Sequence, residues 1–114
     1  MVVFEPAAVV VLNFPFSDFS ASKHRPAVVL AAASSPEWIV CPVTSNPFSD
    51  PAAVELVAGS FLFGGLRGRS FARPLKVFAA DPSLVTARVG TLTQAAFRGV
   101  IEPLLNALSA SLLK

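Results

Sequence analysis

At 114 residues the chain is sized for one domain spanning residues 1–114, burying roughly two-thirds of its unfolded surface. Hydrophobic residues make up 54% and charged residues 14%, a balance that argues against a disordered chain and whose apolar excess points to an oligomeric interface, a dimer before a monomer, or to a bound partner. No apolar run approaches the ~18 residues of a membrane span, no basic residue precedes the apolar N-terminal stretch as in a secretory signal, and Cys41 stands alone; a cytoplasmic protein without a disulfide is the expectation.

Residues 7–14 are β-branched and apolar and stop at Pro15, which predicts a strand. Residues 16–24 have the Ser- and Asp-bearing composition of a loop. The continuous apolar run 26–33 predicts a strand covered on both faces, with Pro26 tolerated at its start. A turn at 34–37 leads to a third strand at 38–44, a turn at 46–51 and a short strand at 53–58. Gly64, Gly65 and Gly68 mark residues 59–68 as a loop. Residues 70–80 read as an extended segment bent at Pro74, Asp81-Pro82-Ser83 as a turn or one helical turn, and 85–89 as a strand closed by Gly90. Thr93 is a good N-cap for a final helix whose Phe97, Val100, Ile101, Leu104, Leu105, Leu108 and Leu112 form one apolar stripe. Pro103 should bend or interrupt that helix. Six or seven short strands with one terminal helix predict a mainly β (α+β) fold, a small barrel or sandwich with the helix packed on it.

The charges are uneven. No acid lies between Glu55 and Asp81, where Arg67, Arg69, Arg73 and Lys76 fall, and Lys23, His24 and Arg25 make a second basic spot. Two basic segments in a chain of net charge +2 point to a local anionic ligand. His24 is the only histidine and the acids are scattered, so no metal-ligand spacing, Ser-His-Asp arrangement or P-loop is present, and no cofactor is expected. The chemistry these residues suit is cleavage of a phosphodiester that carries its own nucleophile, the RNA 2′-hydroxyl. An arginine stabilises charge growing on the phosphoryl oxygens with two parallel donors. Arg25 supplies that group at a strand start, and Thr44 and Ser45 supply hydroxyls at a second strand end. If strands two and three are neighbours, Arg25 and Thr44 meet at one rim.

The stretch Val11-Leu12-Asn13-Phe14-Pro15, then His24-Arg25-Pro26-Ala27-Val28-Val29-Leu30, resembles the opening of MazF/PemK toxins. Val40-Cys41-Pro42-Val43-Thr44-Ser45 is similar to their second signature. Residues 70–81 and Val89-Gly90-Thr91-Leu92-Thr93 are similar to their third segment and the approach to the final helix. The resemblance implies an SH3-like β-barrel, a homodimer, and metal-independent, sequence-specific cleavage of single-stranded RNA to a 2′,3′-cyclic phosphate or its opened product. It also implies a cognate antitoxin protein that occupies the RNA groove. On it, Arg25 and Thr44 are the expected catalytic residues, and Lys23, His24, Ser45, Arg69, Arg73 and Lys76 the expected RNA-binding ones. Ser20 stands about where some members carry a glutamate, and Leu75 and Lys76 where an acid and a glutamine are frequent, which leaves the general base unassigned. Two other readings stay open at this level: a non-catalytic SH3-like module that binds RNA or protein, and a toxin directed at gyrase.

Overall fold

A computed structural model describes residues 4–14, 23–47 and 49–113, with the side chains of Phe14 and Lys23 left aside. The expected loop with Phe16, Asp18, Phe19 and Ser20, and Phe48 in the next turn, lie outside the described residues. The strands are β1 (Ala8–Phe14), β2 (Lys23–Ala32), β3 (Trp38–Thr44), β4 (Val54–Leu56), β5 (Phe61–Gly64), β6 (Ser70–Ala72), β7 (Phe78–Ala80) and β8 (Val85–Leu92), followed by helix α1 (Gln94–Leu112). Their antiparallel order is β4-β6-β3-β2-β1-β8-β5, with β7 also paired to β3. Midway along, β3 changes partners: Trp38 to Val40 pair with β7, and Val43 and Thr44 pair with β6. That switch curls the sheet into a half-barrel.

The apolar run in β2 is continuous rather than alternating because both of its faces are covered. Val28 and Leu30 join Val9, Cys41, Val43 and Leu92 on one side. Ala27 and Val29 join Val10, Leu12 and Val40 on the other. Each large aliphatic side chain buried this way contributes about 1.5–3 kcal/mol. Ala7 leads into β1 in the left-handed region, φ 79°, where its N–H donates to Val29 O and its carbonyl accepts from Leu92 N–H, both at 2.9 Å. Those two bonds tie β1 to β2 and β8 and offset a strain of about 1–2 kcal/mol.

Four expectations change. β2 begins at Lys23, so His24 and Arg25 lie within the strand, opposite Asn13 and Leu12. The glycine-rich stretch contains a short helical turn at Ala58–Ser60 and the strand β5. β8 continues through Gly90 to Leu92 because Gly90 faces Gly64, and two residues without side chains let the strands come together. Finally, α1 runs unbroken past Pro103, with the Thr93 hydroxyl accepting from Ala96 N–H at 3.1 Å as N-cap. Only its first half packs on the sheet, through Ala96, Phe97, Val100 and Ile101. Leu105, Leu108, Leu112 and Leu113 are 54–87% exposed. Among the described residues no helix is long and apolar enough to cross a membrane.

Candidate functional site

β2 and β3 pair with Ala27 opposite Pro42. Carried two residues further, that register sets Arg25 opposite Thr44. Both side chains line a cavity of about 320 Å³ at the end of the sheet, with Ser45 beside them. Leu66, Arg67, Arg69 and Ser70, from the segment that leads into β6, form the facing wall. Thr44 is fixed locally: Asn46 N–H donates to its Oγ1 at 3.2 Å, and the hydroxyl donates back to the Asn46 carbonyl at 3.1 Å. β3 also pairs Thr44 with Phe71, and β4 pairs Phe71 with Glu55, so Thr44, Phe71 and Glu55 form one row across three strands.

Of the residues singled out from sequence, Arg25, Thr44, Ser45 and Arg69 share this cavity. His24 does not line it, because side chains alternate along a strand and His24 leaves β2 on the opposite side from Arg25. Lys23 opens β2, and its side chain lies outside what is described. Arg69 donates through Nε to Glu55 Oε2 at 3.2 Å and holds its guanidinium carbon 5.1 Å from the Phe71 ring centre. Arg73 is placed elsewhere. Its Nε donates to Asp50 Oδ2 at 2.8 Å, and with Lys76 it lines a separate cavity of about 280 Å³ against the loop at 47–51. Sequence reasoning passed over Ser70 and Glu55, whose places depend on β6 pairing with β3 and β4. Arg67 carried a signal, since it lies in the acid-free stretch.

Three arginines therefore line one cavity, Arg69 paired with Glu55 at its edge, and among the described residues no Asp or Glu lines it. Such a site concentrates a polyanion. In the separate cavity, the Arg73 hydrogen bond holds the Asp50 carboxyl below its ordinary range, helped by Ala52 N–H, which donates to Oδ1 at 3.0 Å. Burial pushes the Cys41 thiol up to about 12, so it stays protonated and is no nucleophile at neutral pH. Among the described residues no three His, Cys, Asp or Glu side chains gather as metal ligands.

A family model for the PemK-like, MazF-like toxin of type II toxin–antitoxin systems matches residues 5–108. Among solved structures, a MazE–MazF crystal structure from Deinococcus radiodurans superposes with a TM-score of 0.74 at 24% identity, over 95% of this chain and 98% of that one. MazF crystallised from the same organism gives 0.66 at 26%, over 93% and 99%. An endoribonuclease in complex with its cognate antitoxin, from a mycobacterial species, gives 0.69 at 12%, over 96% of both chains. A search of curated proteins finds no match. The half-barrel and terminal helix are thus the MazF fold, and with the family match running over all but the ends of the sequence, this chain belongs to the PemK-like, MazF-like toxins of type II toxin–antitoxin systems.

Proposed function

We propose that the chain is the toxin of a toxin–antitoxin pair and a sequence-specific endoribonuclease for single-stranded RNA, working without a metal in the cytoplasm. The observation that carries this reading is the joint presence of Arg25, Thr44 and two further arginines on one cavity. A phosphate seated there receives paired donors from Arg25 and, when the Thr44 hydroxyl turns from the Asn46 carbonyl toward it, a hydroxyl donor from Thr44. The 2′-oxygen attacks phosphorus, the bond from phosphorus to the 5′-oxygen breaks, and a 2′,3′-cyclic phosphate remains on the upstream fragment. The 2′-hydroxyl gives up its proton, and the 5′-oxygen takes one. Charge builds on the two non-bridging oxygens at the moment Arg25 can meet it, which lowers the barrier rather than merely tightening binding. Ser45, Arg67 and Arg69 hold the neighbouring backbone, while Lys23, His24, Arg73 and Lys76 extend the basic surface along it.

The partners that fit are a second copy of this chain, argued from its uncovered apolar side chains, and an antitoxin like those bound in the structures it resembles. The test is incubation of purified protein with a long mixed-sequence RNA in EDTA, followed by mapping of the new ends. Cleavage at a short fixed sequence is expected, with cyclic phosphate termini. Arg25→Ala should lower the rate by about 10²–10³-fold, and Thr44→Val by roughly tenfold, the worth of one hydrogen bond. RNA that stays intact, indistinguishable from the Arg25→Ala control, overturns the enzymatic reading.

A further inference from the structure

The curled sheet ends in two strands, β4 and β5, that are not paired with each other. Between them opens a second cavity, about 560 Å³, with Leu56 and Phe61 on its floor and Glu55 and Arg69 at its rim. Leu66 and Arg69 are walls of this cavity and of the Arg25–Thr44 cavity alike, so the two adjoin. A single RNA strand with its phosphate at Arg25 would bring a neighbouring base to the slit. The charges at the slit select the base over a second phosphate, because among the described residues its acid is Glu55, which repels an anion, and its cation, Arg69, is already paired with that carboxylate. An apolar floor suits the flat face of a base.

The Glu55 carboxylate can only accept hydrogen bonds. Arg69 Nε takes one lone pair of Oε2, which leaves Oε1 and the second lone pair of Oε2 to accept, and the Glu55 side chain is 38% exposed toward solvent. Among the four bases, guanine alone presents two adjacent donors on its Watson–Crick edge, N1–H and the 2-amino group. Adenine and cytosine set a donor beside an acceptor, and the single N–H of uracil lies between two carbonyls. We infer that the slit between β4 and β5 is a guanine subsite, in which Glu55 accepts from N1–H and the 2-amino group and makes guanine part of the recognised sequence. This rests on the RNA reading above and adds to it the base that the chain selects.

The inference is tested by binding. Labelled uridine decamers carry three central 2′-deoxynucleotides, which deny cleavage its nucleophile; these three are all guanine, adenine, cytosine or uracil. Fluorescence anisotropy of the full-length protein should show the guanine strand binding about tenfold or more above the others, the discrimination of one bidentate contact. Replacing guanine by hypoxanthine, which lacks the 2-amino group, should remove most of that advantage with no change to the protein. Glu55→Gln should flatten the ratio by weakening the guanine strand, which loses its paired acceptors, while the other three strands bind as well as before or slightly better because a negative charge is gone. Equal binding of the four strands, or a guanine advantage that survives both changes, overturns the inference. Cleavage of RNA by a protein with a flat base ratio would sink the guanine subsite and leave the ribonuclease in place. Guanine-selective binding without any cleavage would do the reverse.

Discussion

Arg73 and Asp50 show how a basic residue grouped with others in sequence can be set apart from them by its own ion pair. Asp50 is almost covered, its side chain 9% exposed, and Arg73 covers it at 2.8 Å. Because the folded carboxyl is held below its unfolded value, the pair stabilises the protein fully above the ordinary Asp range. That stability is lost as pH falls below ~3.9 and through the lower folded value. Asp50→Asn should therefore lower stability by about 1 kcal/mol at neutral pH. As pH falls through that lower folded value, its melting temperature should approach that of the wild type. Thermal melts across pH check this, and a constant gap down to acid would refute it. Arg25 and Thr44 were legible in sequence as a pair because each stands at the edge of a long apolar run, Arg25 before one and Thr44 after another. His24 was not separable from Arg25 there, since adjacency in sequence hides the fact that neighbours on a strand face opposite ways.

At the scale of elements, β5 was hidden by its own composition. Phe61 to Gly64 is four residues long, and glycine ordinarily signals a turn. Here Gly64 has φ 75°, and a Cβ on it would overlap the Val89 carbonyl, while one on Gly90 would come within 2.8 Å of Phe63 O. Gly64→Ala should cost about 1–3 kcal/mol from backbone strain and overlap. Gly65→Ala, with open space around its Cβ, should change stability by less than about 0.5 kcal/mol. Urea denaturation of both variants separates the two, and equal costs would show that the β5–β8 contact does not depend on glycine. The central strands were legible for the opposite reason: β1, β2 and β3 carry long apolar runs whose burial dominates every local preference. Pro103 misled because a lost backbone bond argues for a break, yet packing on one side of it keeps α1 whole.

For the whole molecule, apolar composition anticipated surface that one chain leaves uncovered. Leu62 and Phe63 on the edge strand β5 are 69% and 58% exposed, and the last two turns of α1 present Leu108 and Leu112, with Leu113 exposed just beyond them. A lone chain would show these patches to water, which favours self-association. Sedimentation should give a particle of about twice 11.9 kDa, and the double variant Leu105→Glu, Leu108→Glu should shift it to monomer with its far-ultraviolet circular dichroism intact. A wild-type monomer at micromolar concentration would refute the homodimer. The barrel-with-helix outline was open to sequence reading because periodicity and turn residues report it. Which segment closes the site was not, since that depends on β6 reaching across to β3 and β4.

The two walls of the Arg25–Thr44 cavity have different standing within the fold. One wall is built on β2 and β3, where β3 is paired with three other strands. The other hangs on a connecting segment, residues 65–69, whose Gly65 has room for a larger side chain. Mutational drift can thus rewrite the second wall without touching the first. On the ribonuclease proposed above, a lineage of such toxins inherits one wall intact while its targets change with the other, and a library randomised at Leu66, Arg67 and Arg69 should yield folded proteins that cut at new sequences.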